Sequence, residues 1–206
     1  MGKEKTITNM AKNFYHNVLT GPIPNAVMPN PDSIDESYVE RSNQVMGVAA
    51  EVVRDLVGAH QSAIAIIAQK DWDSGRRYFS LSSKYADWAD YDAPAKGLGT
   101  HGWLLEFNAP VRMTQAELEA HPAWKEFGEE ESKHPPMRGW LAAPIIDSHG
   151  TNWGLIQASD KYEGDFTEED EEKFLQFAHL VSMQLETLWD LHNLQKANAE
   201  KSGHST

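Results

Sequence analysis

Two stretches with helical spacing of apolar residues lie near the two ends of the chain. The first opens at Asp32 and Ser33 and continues to Gly58, and the second opens at Thr167 and continues to about Lys196. Apolar residues that recur three and four positions apart form one face of a helix. The pattern therefore predicts two long amphipathic helices, with a different kind of structure between them.

The middle of the chain alternates short apolar runs with polar turns, which is typical of strands. The strand candidates are residues 62–68, 78–81, 140–146 and 153–159. The polar turn 147–152 suits an antiparallel hairpin between the last two. Two short helices are also predicted: residues 97–100 open one over 101–107, and a capping box at Thr114 opens another over 115–121.

This pattern predicts one domain with an extension at each end. The chain has 206 residues, of which 40% are apolar, enough for a single sizeable core. Residues 1–33, which several prolines interrupt, are predicted to form an N-terminal arm. Residues 34–196 are predicted to form the domain, and residues 197–206 a disordered tail.

Charge and composition narrow the range of partners. The formal net charge of -13 repels the phosphates of nucleic acid and the anionic surface of a membrane, so we expect neither as a partner. No apolar run reaches the roughly 20 residues of a membrane helix, and the N-terminal residues lack a secretion signal, so we expect a cytoplasmic protein. The absence of cysteine excludes disulfides, thiolate metal sites and thiol nucleophiles.

Three local motifs accompany this order of elements. They are Gly97–Trp103 with Pro110–Arg112, His134–Arg138 leading into Leu141–Ile145, and Asp160-Lys161 followed by Phe166 and Asp170-Glu171. With these motifs, the chain from about residue 34 to residue 194 resembles the GAF domain family. The resemblance implies an α/β (α+β) GAF fold, with a central antiparallel sheet of about six strands, flanking helices and long terminal helices.

The third motif is similar to a signature of cyclic-nucleotide GAF domains, with Asp160 where those domains have Asn. Its physical sense is that Lys161 can pair with an acid at the start of the last helix, which closes the hairpin onto that helix. The same pattern occurs in GAF domains that bind no nucleotide. It is therefore informative about the fold and not about the ligand.

His134 carries the most specific hypothesis about a cofactor. In haem-binding GAF domains of mycobacterial oxygen and redox sensor kinases, a similar His-Pro-Pro-Met segment supplies the proximal haem ligand. The resemblance implies that His134 is the axial ligand of a haem b, with Gln157 at the position of a distal Tyr. Alternatively, His134 only braces a proline-rich loop, or binds a metal together with His101 and His121, although that spacing fits no standard motif.

The short helices and loops with Gly and Pro can open over one face of the sheet. We therefore expect a pocket between the sheet and residues 97–138, lined by Trp103, Phe107, Met137 and Gln157. The predicted function is a sensor that binds a small molecule or haem and signals through its terminal helices to a separate partner protein. The alternative is a GAF-fold enzyme with a haem or non-haem metal in that pocket; free methionine sulfoxide reductase activity is excluded because those enzymes use cysteines.

A homodimer is also expected. The last helix is longer than the sheet of one small domain can cover, and its apolar stripe continues past the expected end of the core. An exposed stripe of this kind would pack with the first helix against a second copy, as a four-helix bundle. The stripe consists of Leu185, Leu188, Trp189, Leu191 and Leu194.

Overall fold

The computed structural model describes residues 35–67, 75–90, 99–124 and 135–203. The first half contains α1 (Glu36–Val57), β1 (Ala59–Ile66), β2 (Arg76–Leu81) and a 3₁₀ helix (Ser83–Trp88). The second half contains α2 (Gly99–Phe107), β3 (Val111–Met113), α3 (Gln115–Ala120), β4 (Trp140–Ile146), β5 (Asn152–Lys161) and α4 (Glu168–Gly203).

The strands of the described residues form one antiparallel sheet in the order β2-β1-β5-β4-β3. The predicted hairpin of β4 and β5 is confirmed, and its turn is stabilised by Asp147, whose Oδ1 accepts hydrogen bonds from the backbone N–H groups of His149 and Thr151. The predicted α+β architecture is therefore confirmed. The sheet has five strands among the described residues, where about six were expected.

Helix α1 is capped by Asp35 at its N-terminal end and by Gly58 at its C-terminal end. The Asp35 side chain accepts a hydrogen bond of 2.7 Å from the backbone N–H of Tyr38, as an N-cap residue does. Gly58 ends the helix with a φ of 62°, a conformation that glycine adopts without steric cost, so the chain turns directly into β1. The predicted end at Gly58 is confirmed, whereas the predicted start at residues 32–33 lies outside the described residues.

Helices α1 and α4 lie antiparallel on one face of the sheet: Tyr38 near the start of α1 packs edge-on against Trp189 in the second half of α4, with ring centroids 5.4 Å apart. The core lies between these helices and the sheet. Its largest fully buried members include Met46, Val53, Ile64, Leu141, Ile156, Phe174 and Leu185.

Small side chains form part of the buried face of α1. Ala49 and Ala50 are buried next to Val53, whereas Val48, Val52 and Leu56 are 61%, 41% and 40% exposed. Small side chains permit a close approach of the helix to the sheet.

Helix α4 differs from its prediction at two points. Leu185 and Trp189, expected to be exposed at a dimer interface, are buried in the protein's own core against α1, because α1 extends along α4 to this level. Leu191 and Leu194 are exposed, at 38% and 63%. The helix also continues to Gly203, into the predicted tail, since no helix-breaking residue precedes that glycine.

None of the helices in the described ranges combines the length and the apolar character that a membrane crossing requires.

Candidate functional site

The two faces of the sheet carry different kinds of side chain. Ile64 of β1 and Ile156 of β5 belong to the core with α1 and α4. Because successive side chains of a strand point to opposite faces, their neighbours Ala63, Ala65 and Gln157 lie on the other face. We call this the pocket face. Its rows across the strands are Leu81–Gln61–Ser159–Trp140–Met113, Phe79–Ala63–Gln157–Ala142–Val111 and Arg77–Ala65–Leu155–Pro144.

One end of the pocket face is filled by apolar packing. Helix α2 lies on β4 and β5, and α3 lies beside β3. Leu104 of α2, Leu118 of α3 and Trp140 of β4 meet there with no exposed surface. Helices α2 and α3 thus pack on β3, β4 and β5, whereas the small side chains of Ala63 and Ala65 lie on the pocket face of β1.

Gln157 stands at the centre of the pocket face and is 9% exposed. Its side-chain oxygen Oε1 lies 2.6 Å from Trp140 Nε1 and 2.8 Å from His101 Nε2. The indole N–H can only donate, so the atom that faces it must be the amide oxygen. His101 Nε2 must then carry a proton, which fixes the tautomer of a neutral His101.

The segment 135–138 is attached to the same face by hydrogen bonds. The carbonyl oxygen of Pro136 accepts a hydrogen bond from Gln61 Nε2, and Tyr85 Oη lies 3.1 Å from it. Ser159 Oγ accepts from the backbone N–H of Arg138 at 3.0 Å. These hydrogen bonds hold residues 135–138, which directly follow residue 134 in the sequence, against the pocket face.

Tyr85 and Asp160 form a buried polar pair beside this segment. Tyr85 Oη donates to Asp160 Oδ2 at 2.6 Å, and the same carboxylate oxygen binds Lys84. Burial, and then the hydrogen bond with the Asp160 carboxylate, raise the pKa of Tyr85 to about 12. The pair therefore joins the 3₁₀ helix to the end of β5 through a phenol that remains protonated at neutral pH.

The expected pairing of Lys161 with an acid at the start of the last helix is confirmed. Lys161 Nζ binds Asp170 Oδ2, which also accepts hydrogen bonds from the backbone N–H and the hydroxyl of Thr167, at 2.7 and 2.8 Å. Although burial alone would raise the pKa of Asp170, the hydrogen bonds from Lys161 and Thr167 lower it. This group fastens the end of β5 to the start of α4.

The sequence-predicted site residues do not all meet at Gln157. Trp103 and Met137 pack against the apolar cluster of α2, α3 and β4. Phe107 stacks on Trp103 with ring centroids 4.7 Å apart, and its side chain is 52% exposed on the outer side of α2. His134 lies outside the described residues.

The candidate metal ligands are partly described. His101 contacts Gln157, whereas His121 packs edge-on against Trp103 with ring centroids 4.5 Å apart. In the part of the chain that the structure describes, no group of three or more His, Asp or Glu residues could hold a metal ion.

Some residues of the site carried no signal that the sequence analysis used. Ala63 lies within the strand candidate 62–68, Gln61 lies one residue before it, and Tyr85 lies in a stretch with no predicted regular structure. Their role follows from the strand register, which places Ala63 directly opposite Gln157 and Gln61 opposite Ser159. The one sequence feature that could have indicated these site residues is the occurrence of polar residues at alternating positions of an otherwise apolar strand.

Comparison with known proteins agrees with the fold described above. The family model of the GAF domain matches residues 43–185. No curated protein matches the sequence significantly.

Solved GAF domains share the fold at low sequence identity. GAF3 from Slr1393 of Synechocystis sp. is similar at a TM-score of 0.56 and 13% identity, over 75% of this chain and 99% of that one. The GAF domain of an Acinetobacter phosphoenolpyruvate-protein phosphotransferase gives 0.52 and 12%, over 91% and 95%. Free methionine-R-sulfoxide reductase from Neisseria meningitidis gives 0.53 and 13%, over 93% and 95%. These likenesses concern the fold alone.

Proposed function

Because this chain belongs to the GAF domain family, we propose that it is a sensor module that binds a small molecule on the pocket face, above Ala63 and Ala65 and beside Gln157. The observation that carries the proposal is the contrast between the two faces of the sheet. One is filled with large apolar side chains, and the other has alanines around a glutamine that is nine-tenths buried. A few polar groups in a mostly apolar setting are typical of ligand sites.

Native mass spectrometry after incubation with the dialysable fraction of a cell lysate tests this proposal. We expect a complex heavier than the 23.1 kDa chain by the mass of one small molecule. The adduct should be lost in Ala65→Trp, because Ala65 is only half-buried and a larger side chain there extends over the pocket face. An adduct that persists in this variant, or its absence from the unaltered protein, would contradict the proposal.

The most specific form of the proposal is a haem bound through His134, which would also be the cofactor of the enzyme alternative. Two observations support it: Pro136 is bound to the pocket face by Gln61, and Met137 packs against the apolar cluster next to that face. An imidazole is a standard axial ligand, and bound haem would supply redox and gas-binding chemistry. Gln157 would offer its side-chain N–H groups to such a ligand, because Trp140 and His101 engage its oxygen.

We further propose that the signal passes through α1 and α4 to a partner protein, within a homodimer. The link from the pocket face is short, since β5 carries Gln157 and ends at Lys161, which binds Asp170 on α4. The antiparallel helices expose apolar side chains that a second copy would cover. They are Val48, Val52 and Leu56 on α1 and Leu180, Met183, Leu191 and Leu194 on α4.

A further inference from the structure

Helix α4 carries a row of exposed side chains that is symmetric about its centre. The apolar members of the row are between 38% and 63% exposed, and they are Leu180, Met183, Leu191 and Leu194. Thr187, which is also exposed, lies at the centre, with a leucine seven residues away on each side. Met183 and Leu191 are each four residues from it. At about 100° per residue, all five side chains point within about 80° of one another. We call this row the Thr187 stripe.

Thr187 is suited to the centre of a contact between two helices. Its hydroxyl donates to the backbone carbonyl of Met183 at 2.8 Å, so its proton is already bound within the helix. Two helices approach most closely where they cross, and a small side chain at that point permits the approach. A twofold axis through Thr187 and perpendicular to α4 brings Leu180 beside the partner's Leu194. The same axis brings Met183 beside the partner's Leu191.

The C-terminal part of α4 extends past the start of α1. Asp35, the N-cap of α1, lies with its Oδ2 3.0 Å from His192 Nδ1, so the two helices are level at this point. Residues 193–203 therefore continue past α1 for about 16 Å, at 1.5 Å per residue. The side chains of residues 193–202 are all exposed. In an antiparallel contact about Thr187 this extension lies along the partner's residues 171–181, whereas in a parallel contact the two extensions meet only each other.

Charge distinguishes between the two directions in which the helices could meet. The first turn of α4 is acidic throughout, with Glu168, Glu169, Asp170 and Glu171. Near the C-terminal end, Lys196 and Lys201 outnumber Glu200. Parallel helices would bring two acidic first turns together and align the two helix dipoles, which is unfavourable. Antiparallel helices place each acidic end close to the basic end of the partner's α4, so the antiparallel direction is favoured.

We infer that two copies of the chain associate through an antiparallel contact of their α4 helices, centred on Thr187. This inference rests on the homodimer of the proposed function, and it names the surface and the direction in which the copies meet. In this dimer the start of α4, where Asp170 binds Lys161, lies next to the C-terminal end of the partner's α4. A movement at the start of α4 therefore reaches the partner directly.

Because the chain contains no cysteine, single introduced cysteines can report the direction of the contact. In the antiparallel dimer residue 180 lies next to residue 194 of the partner, whereas the two residues 180 lie about 21 Å apart along the helix. A disulfide needs Cα atoms within about 7 Å of each other. Under mild oxidation with copper–phenanthroline in air, an equimolar mixture of Leu180→Cys and Leu194→Cys should form a cross-linked species of twice 23.1 kDa. Each variant alone should remain without a cross-link.

Two further variants serve as controls. Thr187→Cys lies at the centre of the contact, so it should cross-link with itself whichever direction the helices take. Asn193→Cys changes an exposed residue that is adjacent to Leu194 but points about 100° away from it. A mixture of Asn193→Cys with Leu180→Cys should therefore give no cross-link.

The outcomes separate the direction of the contact from the existence of the dimer. If Leu180→Cys and Leu194→Cys each cross-link with themselves, the helices are parallel; this result would overturn the inference and leave the homodimer in place. A mass of two chains by light scattering without a cross-link of Thr187→Cys would also overturn it, because the copies then meet elsewhere. If the unaltered protein has the mass of one chain and no variant cross-links, both the inference and the proposed homodimer are wrong.

Discussion

Replacing Asp170 by Asn tests whether the end of β5 is fastened to α4 as the structure shows. One carboxylate oxygen of Asp170 accepts hydrogen bonds from Lys161 and from Thr167, and the side chains of Lys161 and Asp170 are only 19% and 12% exposed. The variant keeps an acceptor for Thr167 but removes the charge that Lys161 faces. A lost charge-assisted hydrogen bond and a poorly solvated ammonium group together cost about 2 to 3 kcal/mol.

Chemical denaturation at a fixed protein concentration measures this loss, which corresponds to roughly 4 to 12 °C in Tm for a chain of this length. The control is Glu169→Gln, because Glu169 is adjacent, 76% exposed and paired with Lys173 on the surface, where solvent screens the pair and it contributes little to stability. The reasoning is refuted if Asp170→Asn and Glu169→Gln unfold within about 0.5 kcal/mol of each other.

The difference in unfolding free energy between the unaltered protein and Asp170→Asn depends on pH, and the pKa of Asp170 determines the direction. The folded protein holds the pKa of Asp170 below its ordinary value, so its carboxylate stabilises the fold at neutral pH. This contribution is lost as the pH falls through the ordinary range of an aspartate and then through the lower folded pKa. The difference in unfolding free energy between the unaltered protein and Asp170→Asn should therefore shrink below about pH 4.

Three further changes test other parts of the structure. Leu194→Glu should reduce the mass measured by light scattering from twice 23.1 kDa to that of one chain, and a single chain already in the unaltered protein would contradict the dimer. His134→Ala should remove any Soret band without unfolding the protein, and an unchanged band would exclude His134 as the axial ligand. In Tyr85→Phe, the free energy of unfolding should no longer fall between about pH 10 and 12 as it does in the unaltered protein. The reason is that the raised pKa of Tyr85 in the folded protein stabilises the fold only below that range. If the unfolding free energies of the two proteins depend on alkaline pH in the same way, Tyr85 does not titrate as described.

The sequence predicted the elements well, because their signals are local. The capping box of Thr114 and Glu117 has both of its hydrogen bonds, and residues 140–146 form β4 with the predicted bounds. Lys161 and Asp170 also pair as their spacing indicated. In each case the pattern spans a few residues, and the geometry of a helix or a turn fixes the rest.

The candidate site was harder to predict, because it depends on strand register and on how the helices pack. Nothing in the sequence places Ala63 opposite Gln157, and without that pairing the pocket face cannot be recognised. Likewise, Leu185 and Trp189 have the spacing of an exposed stripe, and only the reach of α1 along α4 shows that they are buried. Periodicity identifies an apolar face but does not show which element covers it.

A crystal structure of the protein after incubation with the dialysable fraction of a cell lysate tests the central claim most directly. We predict electron density for a small molecule on the pocket face, above Ala63 and Ala65 and beside Gln157. Density between α1 and α4, or a pocket face covered by side chains of the protein itself, would contradict the account.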